Sequence, residues 1–363
     1  MLRVALDFRP ALLTPSGIGR ATRELARALA ELPHIELHLF GHSLARAVNR
    51  DVPTAAHLHR WRVPGRSLRM LRALGLGADR LAGSPDVFHW TDYVQPPLSR
   101  ARAVLTVHDV AFAEDPMTHG ERQSAILRAR TAVALAAAAR VVVPTEATAQ
   151  ALRTRFEVDP DHVRVIPFGA DHVPSAATLR ARPAPLGGED YVLMVGTLEP
   201  RKNHLRLLRA WRELPAPRPR LVVVGRAGWL CEDTVRALRA TAREGVRWIP
   251  GLDDGELWRY VAHARLLAYP SLLEGFGFPP LEALALGVPV LAGDTPALRE
   301  VLGDAALFRP PGDIDALRDG LEVLLHDDGT RRRLREQGLR RAREFTWSTC
   351  ARAHAEVYAE AAG

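Results

Sequence analysis

Short apolar runs alternate with longer amphipathic stretches along this chain. In the first half, the runs Arg3–Phe8, Ile35–Phe40, Val87–Trp90, Ala103–His108, Val141–Val143 and Arg164–Pro167 read as strands. Gly17–Leu32 carries Ile18, Leu25 and Leu29 at helical spacing, and Glu121–Ala139 is an Ala-rich helix candidate. Strands that are continuously apolar and separated by helices predict parallel sheets covered on both faces. The pattern pauses over 171–190, where Pro174, Pro183, Pro185, Gly187 and Gly188 cluster as in a linker. It then restarts. Tyr191–Val195, Leu221–Val224, Val246–Ile249, Leu266–Tyr269 and Val288–Leu291 read as strands. The helices between and after them are His204–Glu213, Thr234–Arg243, Asp254–His263, Pro280–Leu286 and a helical region from Asp313 to Glu344. Trp347–Ala362 is a final helix. The expected organisation is a Rossmann-like domain over 1–170, a linker over 171–190 and a second Rossmann-like domain over 191–345. A C-terminal helix over 346–363 would return to the first domain.

A length of 363 residues supports two cores, and 47% hydrophobic with 25% charged residues is a soluble globular balance. No apolar run reaches the roughly 18 residues of a membrane span. The N-terminal run carries Asp7 and no small-residue cleavage site, so it reads as a strand and not as a signal peptide. Cys231 and Cys350 suggest neither a disulfide framework nor a zinc site. Together these features predict a cytoplasmic protein. The net charge of +7 is spread among 42 acids, which argues against nucleic acid as a partner. The basic segment His59–Arg72 reads as a loop and a surface helix. A contact with an acceptor or with the inner face of a membrane is the alternative.

The chemistry concentrates in the second half. Between the strand ending at Tyr269 and the helix expected at Pro280 lies Glu274-Gly275-Phe276-Gly277-Phe278-Pro279-Pro280-Leu281-Glu282. Backbone amides before a helix favour an anion such as a diphosphate, and glycines let the backbone approach it. A carboxylate beside such a cradle makes sense if it accepts hydrogen bonds from sugar hydroxyls, and Glu274 and Glu282 flank the turn. The plainer reading makes Glu282 a first-turn helix acid and Glu274 a solvated loop residue. After Tyr191–Val195 comes Gly196-Thr197-Leu198-Glu199-Pro200-Arg201-Lys202-Asn203. Arg201 and Lys202 suit a diphosphate leaving group. The 49 basic residues include one lysine, and it is Lys202.

In the first half, Gly17-Ile18-Gly19 opens a helix. It lies too far from the first strand for a dinucleotide fingerprint. His108-Asp109 follows a strand, with Asp109 expected to orient the loop or the imidazole. Asp159-Pro160-Asp161 and Asp313-Ile314-Asp315 resemble metal-binding triplets, but both sit at expected helix starts and read as N-caps.

The two segments around Glu274 and Lys202 resemble the retaining glycosyltransferases of family 4. The likeness continues through Pro250-Gly251-Leu252-Asp253, Pro270-Ser271, Gly287-Val288-Pro289-Val290 and Gly303-Asp304-Ala305. It implies the GT-B fold, an α/β architecture of two Rossmann-like domains facing each other across a donor cleft. It implies that Glu282 holds ribose hydroxyls and Glu274 donor-sugar hydroxyls. Arg201, Lys202 and the amides of Gly275, Phe276 and Gly277 would hold the diphosphate. Gly17 and Gly19 would face the donor phosphates, and His108 would lie near the donor sugar as a catalytic group, with Glu274 as the second catalytic residue. The implied reaction is retaining transfer of a hexosyl unit from a nucleoside-diphosphate sugar, with a lean to GDP-mannose, and it needs no metal or other cofactor. The acceptor would be a glycan, a lipid-linked sugar or a small molecule. The competing readings are a sugar-nucleotide epimerase of the same fold and a non-catalytic sugar-nucleotide-binding subunit.

Overall fold

The structure is a computed structural model that describes residues 1–13, 16–45, 51–115, 118–183 and 189–363. Pro185, Gly187 and Gly188 of the expected linker lie outside the described residues. The chain forms two compact units. The first comprises Met1–Glu114, Glu121–Gly169 and Thr346–Gly363, and the second Asp115–Gly120 and Ala170–Phe345.

The first unit holds a seven-stranded parallel sheet. Its strands are β1 (Leu2–Asp7), β2 (Ile35–His42), β3 (His57–Trp61), β4 (Val87–Trp90), β5 (Arg102–Thr106), β6 (Arg140–Val143) and β7 (Val163–Val165). Their order is β3-β2-β1-β4-β5-β6-β7. The central strands are buried on both faces, as Val4, Ala5 and Leu6 show, which is why their sequences are continuously apolar. β3 has no apolar run and was not expected. It exists because its backbone pairs with β2, His38 opposite His57. The rest of the basic segment is the helix Gly65–Ala73, which buries Leu68 alone and leaves Met70 exposed.

Helix Gly17–Ala30 buries Leu25 and Leu29, while Ile18 is half-buried. It packs on the terminal helix Trp347–Ala362, which belongs to this unit and also meets β4 and β5. A buried polar network fixes that helix. His89 on β4 bonds Tyr358 Oη through Nδ1 (2.8 Å) and Thr106 Oγ1 through Nε2 (2.7 Å).

The second unit holds six parallel strands: β8 (Tyr191–Val195), β9 (Arg220–Val224), β10 (Val246–Ile249), β11 (Leu266–Tyr269), β12 (Val290–Gly293) and β13 (Leu307–Arg309). Their order, β10-β9-β8-β11-β12-β13, is that of a doubly wound nucleotide-binding sheet. Its core gathers Leu207, Trp211, Leu221, Leu238, Leu291 and Leu321. β12 begins two residues later than expected, at Val290. Proline has no N–H to give a ladder, so Pro289 suits the strand's approach better than its interior.

Both aspartate triplets are caps. Asp159 Oδ1 accepts from the amide of Asp161, and Asp313 Oδ1 from that of Ala316.

Buried histidines set an acid limit. Burial lowers His204 to about 3, helped by the nearby Lys202 cation. Burial lowers His354 to about 4 against the opposing bond to the Cys350 carbonyl. It also holds His89 well below 6.5. An imidazole with a depressed folded value takes its proton preferentially in the unfolded chain. Its stabilisation is therefore complete above about 6.5 and is lost as pH falls towards the folded value. Burial raises Asp7 to about 6 and Glu114 above its ordinary 4.5, which acts in the opposite direction but as two groups against several. The melting temperature is expected to fall between pH 6.5 and 5, before ordinary carboxylates titrate, and His354→Leu should flatten that slope. A melting temperature constant across this window would refute the assignment.

Candidate active site

The strand order of the second unit reverses between β8 and β11. Ligands of open α/β sheets bind at the carboxyl ends of the strands flanking such a reversal. The two sequence segments singled out above leave these two strands, and their side chains meet. Glu274 Oε1 accepts from Lys202 Nζ (2.6 Å), and Oε2 from Arg201 Nη1 (2.9 Å). Arg201 Nε also pairs with Glu199 Oε1 (2.8 Å), and its Nη1 reaches the Leu273 carbonyl (3.1 Å). Lys202 Nζ donates to Tyr269 Oη at the end of β11 (2.7 Å).

Two carboxylates thus stand against two cations, all largely buried. Burial alone would raise the Glu274 carboxyl, but the charges of Lys202 and Arg201 outweigh it and hold Glu274 at about 2. Its stabilisation is full above the ordinary 4.5 and is lost as pH falls towards 2. Lys202 is lowered by burial and by Arg201, with Glu274 opposing. The solvated-loop reading of Glu274 fails, because only 6% of its side chain is exposed. Its first structural duty is to hold two cations at the switch point, with a carboxylate oxygen on each.

Local backbone geometry delivers these groups. Pro200–Lys202 is one turn of 3-10 helix, and Asn203 leaves it in the left-handed region, φ 66°. Asn tolerates that conformation better than most residues. Its Nδ2 donates to the carbonyls of Pro270 (2.9 Å) and Pro311 (2.6 Å), joining the turn to the β11 loop. Gly277 caps the next helix at φ 93°, where a side chain would be strained. Phe276 is buried beside Phe278 and Phe345.

The helix after the turn runs Phe278–Ala285, two residues earlier than expected. Glu282 therefore sits one turn in, not in the first turn, so a helix-dipole role does not explain it. It is 2% exposed and accepts from His172 Nε2 (3.1 Å). The edge of the His172 ring packs against Trp258 and Phe278. Sequence reasoning missed His172. It lies 110 residues from its partner in a stretch read as linker, so no local pattern links the two.

Gly17, Gly19 and His108 belong to the first unit. The Gly19 amide donates to Ser16 Oγ (3.1 Å), the N-cap of helix Gly17–Ala30, so this amide is committed to capping. His108 Nε2 donates to the Thr91 carbonyl (2.9 Å). That bond fixes the tautomer and leaves Nδ1 as an acceptor. Burial lowers the ring, which favours the neutral form, and Nδ1 can accept a hydrogen bond. Asp109 caps the amide of Ala111 (3.0 Å), which orients the loop as expected.

Comparison with known proteins gives the family and the fold. Residues 15–173 match the Glycosyltransferase Family 4 model, and residues 176–341 match that of Glycosyl transferases group 1. The chain is 30% identical to the O-antigen chain mannosyltransferase B of Escherichia coli, over 96% of this chain and 97% of that protein. The chain belongs to glycosyltransferase family 4. Its fold is similar to that of a sucrose-phosphate synthase from Thermosynechococcus elongatus, with TM-score 0.80, 20% identity and 99% of each chain covered. It also resembles Anabaena HepE in a complex with UDP-glucose, with TM-score 0.76, 17% identity, and 99% of this chain and 100% of that one covered. Both place this family 4 glycosyltransferase in the GT-B fold. Among the described residues, no helix is long and apolar enough to cross a membrane.

Proposed function

We propose that this glycosyltransferase moves a mannosyl unit from GDP-mannose to an acceptor hydroxyl of a glycan, with retained configuration and without a metal. The observation that carries the donor class is the convergence of Arg201, Lys202 and Glu274 at the β8/β11 switch point. A departing diphosphate needs preorganised positive charge. Arg201 offers a planar fork and Lys202 a compact ammonium, and Glu274 keeps both in place before the donor arrives. Glu282, backed by His172, takes ribose hydroxyls. In the reaction, the bond from the anomeric carbon to the diphosphate oxygen breaks and the bond to the acceptor oxygen forms. The proton of the acceptor hydroxyl passes to the departing diphosphate. The mannosyl preference is supported by the Escherichia coli relative, itself a mannosyltransferase.

A thermal-shift series with UDP-, GDP- and ADP-sugars tests the donor. GDP-mannose at about 100 times its Kd should stabilise the fold by about 2.7 kcal/mol. The product should show the α-anomeric configuration of the donor by NMR, and EDTA should leave turnover unchanged. A protein that none of the sugar nucleotides stabilises would sink the proposal.

A further inference from the structure

We propose that the second unit holds a phosphate-binding site at the amino ends of β8, β9 and β11, where Arg218 and Arg265 take the oxygens of a phosphate ester or of free phosphate. This end of the sheet is opposite to Arg201, Lys202 and Glu274, and the proposal does not depend on the transferase reading. A cavity of about 550 Å³ opens there, within the range of small-molecule sites. Its walls come from the segments that enter the three strands and from the end of helix Ile314–His326. They bring the guanidiniums of Arg218, Arg220 and Arg265 against two carboxylates, Glu189 and Asp190. β8 has five residues and β11 four, so the cavity stands roughly 15 Å from the cations at the carboxyl ends. A ligand held there cannot touch the reacting atoms.

Two of these guanidiniums are fixed in place yet poorly satisfied. Arg218 Cζ lies 4.6 Å from the centroid of the Trp211 ring. Trp211 is fully buried, so the stack anchors the head group. Arg218 Nη1 meets the Arg212 carbonyl at 3.5 Å and Nη2 the Glu244 carboxylate at 3.6 Å, the outer limit of such bonds or beyond it. Its Nε is buried without a hydrogen-bond partner among the described residues. Glu244 is committed elsewhere, because Arg212 Nε holds the same oxygen at 2.9 Å. Arg265 repeats the pattern. Its Nη2 donates to the Leu325 carbonyl (3.2 Å), but Asp190 and Asp328 stand at 3.6 and 3.8 Å. Asp328 is paired more closely with Arg331. The charge of Arg265 reaches that neighbour: burial first, and then Arg265, lower Arg331. Of the three lining guanidiniums, Arg220 alone has a carboxylate within hydrogen-bond distance among the described residues, the exposed Glu189. Each guanidinium carries five N–H donors, so Arg218 and Arg265 hold more donors than their surroundings have acceptors. A carboxylate has two oxygens and fills one fork. A phosphate ester offers three acceptor oxygens and about two negative charges, enough for both forks. Glu189 and Asp190, at the rim, can accept from the hydroxyls of a phosphorylated sugar.

Saturation-transfer NMR with mannose 6-phosphate, with inorganic phosphate as competitor, tests this. Mannose 6-phosphate should bind, and inorganic phosphate should displace it. Displacement at an equal concentration marks free phosphate as the ligand. Displacement that needs about tenfold more marks a sugar phosphate held through its hydroxyls as well. Arg218→Gln and Arg265→Gln should each raise the mannose 6-phosphate Kd by about tenfold or more. Lys202→Met/Glu274→Gln, which alters the opposite end of the sheet, should bind it as the wild type does. Arg220→Gln breaks only an exposed pair. It should keep the wild-type melting temperature and weaken binding by about threefold, which preserves the test if another variant does not fold. Wild-type affinity in the arginine variants, loss of binding in Lys202→Met/Glu274→Gln, or no binding of mannose 6-phosphate to the wild-type protein would each overturn the proposal.

Discussion

Lys202→Met is expected to lower turnover by about 10²–10³-fold. Methionine preserves much of the lysine stem, which runs past Gly196, and deletes only the ammonium. Two losses follow. The proposed leaving-group site loses one of its two cations, and Glu274 Oε1 loses its partner at 2.6 Å. Removing one member of a buried ion pair costs about 3–5 kcal/mol when the other is left uncompensated. Here Arg201 remains on Oε2, which places the stability cost below that range. The two effects can be separated. Lys202→Met/Glu274→Gln removes both charges and should recover melting temperature without recovering turnover, because the neutral amide needs no ammonium but the diphosphate does. The donor Kd should rise less than turnover falls, since charge on the leaving oxygen grows towards the transition state. Near-normal kcat in the single variant would remove Lys202 from the leaving-group role. Recovery of kcat in the double variant would show that the ammonium serves only to neutralise Glu274.

Gly225→Ala should carry the largest stability penalty. A Cβ at Gly225, just past β9, would stand 1.7 Å from the Gly196 carbonyl oxygen and 2.6 Å from its carbon. The obstacle is backbone, so no rotamer change relieves it, and the Gly196–Thr197 turn has to move. That turn is also held by the Gly196 amide donating to the Val224 carbonyl (2.9 Å), so the shift breaks strand-end pairing. Overpacking typically costs about 1–3 kcal/mol, and a backbone obstacle belongs at or above the upper end. For a unit of this size that corresponds to a fall of roughly 6–12 °C in melting temperature. Because the turn leads into Arg201 and Lys202, donor binding should weaken in whatever protein remains folded. Gly312→Ala is the control, since nothing lies within 4 Å of its added carbon. Equal melting temperatures for the two variants would contradict the argument.

The fold was legible where physical chemistry is local. Tyr191–Val195, Val246–Ile249, Leu266–Tyr269 and the helix Trp347–Ala362 appear with the boundaries read from the apolar pattern. Burial on both faces writes itself into the consecutive apolar residues of Tyr191–Val195 and Leu266–Tyr269, whereas Val246–Ile249 is an edge strand in which only Val246 is fully buried. The edge strand β3 left no such mark, because half-exposed His57–Trp61 satisfies its backbone on β2 without an apolar run. β13, of three residues, is too short to carry a period.

The candidate site divides in the same way. Residue types and spacing marked Glu274, Glu282, Arg201 and Lys202, because few backbones need two glycines, two prolines and two acids within nine positions. The chain by itself thus determined the alternation that makes a doubly wound sheet, and the segments that build the candidate site. Only the tertiary structure decided which carboxylate faces which cation. It set both oxygens of Glu274 on Lys202 and Arg201, placed His172 behind Glu282, and joined Asp7, Arg9 and Asp92 across two strand ends. The physical reason is sheet order. The packing of strands, loops and helices brings residues 70 to 110 positions apart within about 3 Å, and such pairings leave no trace in local periodicity. A carboxylate's role depends on its partners, and these the fold alone supplies.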